Sequence, residues 1–185
     1  QVWFPGQEGG RSIERVILGQ VNQSGRLQMS WPKRNVDNPA FGNFPCDDKL
    51  VLRYEEGLNV RYRYYDRAKA PEPEFHFGFG LSYTKFALSA LEIGTTEFDA
   101  LTTTVDLTCQ VENVGQAAGK VVIQIYVAPK NGLADSQPRP PKELKAFKKI
   151  TLEIGQKKRA SLTLDKYAFS HYDTHGGKWK LQEGG

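Results

Sequence analysis

The stretch Phe75-His76-Phe77-Gly78-Phe79-Gly80-Leu81-Ser82-Tyr83-Thr84 marks a change in the character of the chain. Upstream of it a short helical pattern is mixed with turns. Downstream nearly everything reads as short strands. Two glycines one residue apart, set among aromatics, suit a chain that bends tightly while its side chains pack on both sides.

Working forward from the bend, residues 86–93, 102–112, 120–127, 145–152 and 158–164 each suit a strand. The clearest alternation is Val105, Leu107, Cys109, Val111, which places one face of that strand in a core. Asn113-Val114-Gly115 is a turn signal. Strands at this spacing, with turn residues between them, point to an immunoglobulin-like architecture. Trp179 and Leu181 look like the start of a further strand.

Working backward, residues 12–18 read as a helix, with Ile13, Val16 and Ile17 on one face and Gly19 as its stop. The preceding Pro5-Gly6-Gln7-Glu8-Gly9-Gly10 lacks the Lys-Ser/Thr ending of a phosphate loop, so it reads as a turn into that helix. Glu8 there complements the helix dipole. Residues 27–31 suit a short strand ended by Pro32, and 32–48 an irregular loop. Residues 60–65 are aromatic and expected to be extended. Their tyrosines suit either a packed junction or the wall of a sugar site. Residues 66–74 form a charged connector.

The bulk composition excludes several classes. The chain has 185 residues, 39% of them hydrophobic and 25% charged, with a formal net charge of +4. That is enough for a real core and is typical of a turn-rich globular protein. The charge excess is mild and no basic helix or stacking motif accompanies it, so no nucleic-acid partner is expected. No stretch has the apolar length of a membrane span, so no membrane partner is expected either. The opening Gln1-Val2-Trp3-Phe4-Pro5 carries no signal peptide and looks like the middle of a longer protein. Cys46 and Cys109 are too few for a disulfide framework. Cys109 reads as a buried thiol, while Cys46 could be free, or paired with Cys109 or a partner.

Candidate chemistry is sparse. Glu55-Glu56 and Asp47-Asp48 are adjacent pairs; neighbours on an extended segment would point to opposite faces, which does not frame a sugar between them, and both pairs read as solvated turn charges. His76, His171 and His175 have no metal-ligand spacing, and His171-Tyr172-Asp173 with His175 reads as a surface loop. No metal and no cofactor is expected. Lys142, Lys145, Lys148, Lys149, Lys157 and Lys158 form a basic stretch that reads first as protection of a sheet edge. Asn22-Gln23-Ser24 is a sequon, making Asn22 the candidate N-glycosylation site in a secreted chain.

Several segments together resemble family 3 glycoside hydrolases, the β-glucosidase and β-xylosidase group. The bend run resembles FPFGHGLSYT. Residues 3–10 are similar to W-x-PGQEGG. Leu18-Gly19 and Asn22-Gln23-Ser24-Gly25-Arg26-Leu27 resemble LxG-x-x-NPSGKLP. Tyr54-Glu55-Glu56-Gly57-Leu58 and Tyr62-Arg63-Tyr64-Tyr65-Asp66 resemble YxEGL and GYRYYD, with Arg61 where the latter has glycine. Asn113-Val114-Gly115 with Gly119 and Gln124-Ile125-Tyr126-Val127 resembles NTGxxxGxEVxQLYV. Residues 139–147 resemble RPxKELKGF.

The resemblance implies a fold class: mainly β, an immunoglobulin/fibronectin III-like β-sandwich preceded by a partial α/β segment. Residues 1–74 would be the tail of an α/β sandwich domain, 75–84 the junction, and 85–185 the fibronectin type III-like domain, without its last strand. It also implies a parent enzyme that releases terminal β-linked sugars with retention, using two carboxylates. The family nucleophile lies in an N-terminal barrel of about 250 residues, too large to fit here. No position matches either catalytic motif, so no catalytic residue is assigned. The expectation is a non-catalytic accessory portion whose partner is the remainder of the parent enzyme, with polysaccharide a further candidate partner. A freestanding secreted carbohydrate- or protein-binding module is the alternative, and an autonomous enzyme the third reading. The expected location is extracellular, with an intracellular one left open.

Overall fold

The computed structural model describes residues 1–46, 48–94, 104–129 and 139–181. Its elements are helix α1 (Gly9–Ile17), a 3-10 turn (Asn35–Asp37), the one-turn helix α2 (Tyr62–Tyr65), strands β1 (Phe86–Ile93), β2 (Thr104–Asn113), β3 (Gly119–Val127), β4 (Glu143–Leu152) and β5 (Lys157–Asp165), a second 3-10 turn (Lys166–Phe169), and strands β6 (Ser170–Asp173) and β7 (Lys178–Leu181). One sheet has the order β1-β2-β5; β3 pairs with β4, and β6 with β7. The protein is mainly β. By contact it gathers into two units: Gln1–Gly25, Gly80–Ile123 and Phe147–Thr163 form the first, and Arg26–Phe79, Gln124–Ala146 and Leu164–Gly185 the second.

In the first unit the alternation of β2 sets the core. Val105, Leu107, Cys109 and Val111 are buried, as their period of two requires. Ile150 and Leu152 of β4, Ala160 and Leu162 of β5, and Ile123 of β3 are buried with them. Inward-facing residues thus come from both sheets, the packing of a β-sandwich. In the β1–β2 pair Ser89 faces Gln110 and Glu92 faces Thr108, so β1 carries one extra residue. Ala90, at φ 50°, holds that bulge in the left-handed conformation usually given to glycine. Helix α1 ends as expected, with Gly19 at φ 73° and its N–H donating to Val16 O at 3.0 Å. Glu8 is its N-cap residue but makes no side-chain cap bond.

Two of the six lysines, Lys148 and Lys158, meet carbonyls at sheet edges. Lys148 of β4 donates to Ser161 O of β5 at 3.0 Å, and Lys158 of β5 donates to Thr151 O of β4 at 2.8 Å. Each strand's open carbonyls are met by an ammonium from the other.

In the second unit the bend run folds against residues 27–31. Gly78 N–H donates to Leu27 O at 2.8 Å, Leu27 N–H to Phe79 O at 2.9 Å, and Trp31 N–H to Phe75 O at 2.8 Å. The expected strand at 27–31 therefore reduces to an isolated bridge, Trp31 to Phe75. Gly78 turns left-handed at φ 83°, and Pro32 has no N–H, so a ladder cannot propagate at either end. Nearby, Arg34 grips Asp37 with two hydrogen bonds, 3.0 and 2.7 Å.

Two further expectations are corrected. Residues 60–65 are not extended: α2 turns there, with Asp66 N–H donating to Tyr62 O at 3.2 Å. A reversal at Arg61 (φ 57°, ψ −131°) overrides the strand preference of the tyrosines. His171-Tyr172-Asp173 is not a loop but part of β6, because Trp179 and its neighbours supply a partner: Tyr172 pairs with Trp179 and Asp173 with Lys178. Glu55-Glu56 sits, as expected of solvated turn charges, in a turn closed by Gly57 N–H to Tyr54 O at 3.2 Å. Asp48 is in a turn, while Asp47 lies outside the described residues. Cys46 is exposed, Cys109 is buried, and both are free; burial pushes the Cys109 thiol up, away from reactivity.

Candidate functional site

Two clusters of polar side chains stand out, one within each unit. In the first, Asn113 at the end of β2 is fully buried. Its Oδ1 accepts from Thr84 Oγ1 and from Gly115 N–H at 3.1 Å, while its Nδ2 donates to Ala117 O at 2.8 Å and Leu152 O at 3.3 Å. Its N–H donates to Gln156 O and its carbonyl accepts from Gly155 N–H. All four hydrogen-bonding positions of the side-chain amide, two donor hydrogens and two lone pairs, have partners. Gly115 is required beside it, since a Cβ there would stand 2.6 Å from Lys85 N and closer still to Thr84 Oγ1.

Asn22 occupies the adjoining position. Its Oδ1 accepts from Ser82 Oγ at 3.0 Å and Tyr83 N–H at 2.9 Å, and its Nδ2 donates to Ala118 O at 2.8 Å. Tyr83 in turn donates its hydroxyl to Val16 O at 2.7 Å, tying the end of α1 to the same place. The sequon asparagine is thus half-buried and engaged at both ends of its amide.

In the second unit the cluster centres on Glu143, the first residue of β4. Arg63 lies 3.1 Å from it, Arg139 3.2 Å and Lys145 3.3 Å, with the carboxylate side chain 16% exposed. Burial pushes the Glu143 carboxyl up, but the charges of Lys145 and Arg63, with hydrogen bonds from Lys145 and Arg139, pull harder and leave it below its ordinary value. Tyr62 accepts the N–H of Leu144 on its hydroxyl at 2.7 Å and stacks on Phe77 of the bend at 5.0 Å between centroids. Tyr126 meets Tyr62 edge-on at 6.0 Å, and Lys142 reaches both its ring face, 5.3 Å from the centroid, and Asp66, at 3.3 Å.

Neither cluster is arranged for acid–base chemistry. Among the described residues the carboxyls whose titration is displaced, Asp37, Glu143 and Asp173, are all displaced downward. A general acid needs the opposite. Asp173 is the extreme case: hydrogen bonds from Lys180 and the Gly176 N–H, against the cost of burial, with help from the His175 N–H, bring it to about 2. His76 is held by Glu72 at 2.7 Å on an exposed surface. Among the described residues no group of three His, Cys, Asp or Glu is placed to hold a metal ion. No helix among them is long and apolar enough to cross a membrane.

Comparison with known proteins identifies the lineage. The glycosyl hydrolase family 3 C-terminal domain matches residues 1–83, and the fibronectin type III-like domain matches residues 121–185. Over its whole length the chain is 40% identical to the thermostable β-glucosidase B of Acetivibrio thermocellus. The chain belongs to glycosyl hydrolase family 3. It covers 24% of that relative, and 22% of β-glucosidase B from Emericella nidulans, to which it is 39% identical. The chain therefore spans about a quarter of the length of the curated relatives it matches, and corresponds to a C-terminal portion of a family 3 enzyme. Among solved structures, the Bifidobacterium adolescentis family 3 β-glucosidase superposes with a TM-score of 0.88 at 32% identity, covering 98% of this chain and 26% of that one. The Kluyveromyces marxianus β-glucosidase, solved in complex with glucose, gives 0.87 at 36% identity, covering 100% and 21%.

Several of the segments that carried the family 3 resemblance meet in these clusters. Asn22, Ser82, Tyr83, Thr84, Asn113, Gly115 and Gly119 belong to the first. Tyr62, Arg63, Phe77, Tyr126, Arg139 and Glu143 belong to the second. Sequence reasoning singled out Asn22 for its triplet and missed its internal partners. It met Glu143 only as part of the 139–147 motif and gave it no role, although a lone acid between Arg139 and Lys145 was a visible sign of a paired charge.

Proposed function

We propose that this family 3 chain is the non-catalytic C-terminal portion of a β-glucosidase-like glycoside hydrolase. The parent enzyme would remove terminal β-linked sugars, and this portion would brace its catalytic domains. The observation that carries the reading is the end-to-end match to about a quarter of several β-glucosidases, combined with carboxylates that are held ionised in ion pairs. Retaining hydrolysis needs two carboxyls about 5–5.5 Å apart, one of them able to hold a proton near neutrality. Glu143 and Asp173 are spoken for by cations, and both hold their protons less firmly than a free acid. The chain is expected to hydrolyse nothing alone. The purified chain, incubated with an aryl β-glucoside, should release no aglycone above the buffer rate. Steady turnover that survives repeated purification would overturn the reading.

A further inference from the structure

We infer that Asn22 is a structural amide, and that its native seat and a glycan on its nitrogen exclude one another. The partners of Asn22 lie 60, 61 and 96 residues away along the chain, at Ser82, Tyr83 and Ala118. These bonds exist only once the first unit has assembled. On the side facing Gly119 the nitrogen has no spare room: a Cβ on Gly119 would stand 2.8 Å from Asn22 Nδ2, 2.8 Å from Thr84 Cγ2 and 3.1 Å from Phe86 Cζ. The backbone passes so close that even a methyl group is excluded there.

Glycan transfer forms a bond from Nδ2 to the sugar C1. The C1–oxygen bond to the lipid pyrophosphate breaks, the pyrophosphate leaves with the electron pair, and the nitrogen gives up one proton. The amide loses a donor hydrogen and gains a pyranose ring. Transfer requires Asn22-Gln23-Ser24 to be accessible, before residues 82–84 and 118–119 close around it. Folding removes the acceptor, and transfer obstructs folding. In a secretory setting the two events compete for the same side chain.

The test is expression of the protein in a eukaryotic secretory host, separating native from aggregated material and measuring Asn22 occupancy by peptide mass spectrometry. Native protein is expected to be unmodified, with occupancy confined to the aggregate. Ser24→Ala removes the sequon but leaves Asn22 in place, and should raise the native yield without changing Tm. Asn22→Asp, made in a bacterial host where no glycan is attached, cannot donate to Ala118 O and should lower Tm by several degrees. Its failure to fold, where Ser24→Ala folds, is the same result in stronger form. Native protein bearing a glycan at Asn22 with an unchanged Tm would overturn the inference, as would an Asn22→Asp protein as stable as the parent.

Discussion

Arg61→Gly should stabilise this protein, although it deletes a long charged side chain. Arg61 has φ 57° and ψ −131°, a combination that a Cβ makes unfavourable. A non-glycine residue in such a region costs about 1–3 kcal/mol. Glycine removes that cost but gives the unfolded chain more freedom, which costs roughly 0.5–1 kcal/mol. The Arg61 side chain is exposed and makes no hydrogen bond or ion pair among the described residues, and the bond its carbonyl accepts from Tyr64 N–H at 3.2 Å is open to glycine too, so little else is lost. The net expectation is a gain of about 1 kcal/mol, or about 2–4 °C in Tm for a chain of this size. Arg61→Ala is the control, since it removes the charge and stem but keeps the Cβ, and should leave stability unchanged. Both are read by thermal and urea unfolding followed by circular dichroism. An Arg61→Gly protein less stable than Arg61→Ala would refute the reasoning, because glycine would then show only its entropic penalty.

Other outcomes follow from the same geometry. Asn113→Ala strands Thr84 Oγ1, Gly115 N–H, Ala117 O and Leu152 O, and should cost about 3 kcal/mol or more; urea midpoints will show it. Gly78→Val forces a β-branched residue into φ 83° and should cost about 1–2 kcal/mol, most of it backbone, because the Gln124 amide facing the new Cβ can move aside. Asp173 titrates at about 2 in the folded protein against 3.8 ordinarily. The unfolded chain therefore takes up the proton first, so this contribution to stability is full above 3.8 and is lost as pH falls toward about 2. Asp173→Asn should flatten the acid limb of a stability–pH curve, and parallel curves for the two proteins would refute the assignment.

The strands were legible because their signal is local. Val105, Leu107, Cys109 and Val111 declare an inward face with no knowledge of the partner, and the predicted span 86–93 coincides with β1. Helix α1 was legible for the same reason, through Ile13, Val16 and the stop at Gly19. Strand β6 was not: it has four residues and exists because β7 lies against it. Helix α2 was hidden by its tyrosines, whose strand preference loses to the reversal at Arg61. The clusters were legible only as motifs. Glu143 gains its character from Arg63, far off in the chain, and the partners of Asn22 lie 60, 61 and 96 residues away.

The crossed lysines of β4 and β5 also decide how this protein behaves when its amines are altered. A positive charge at Lys148 and Lys158 both satisfies a neighbouring carbonyl and repels any strand that approaches from another molecule. Acylation of either amine removes the repulsion and weakens the clasp in one step. Reagents that couple dyes or supports through lysine would then uncover two strand borders in every copy, and fibrous association would begin at that seam.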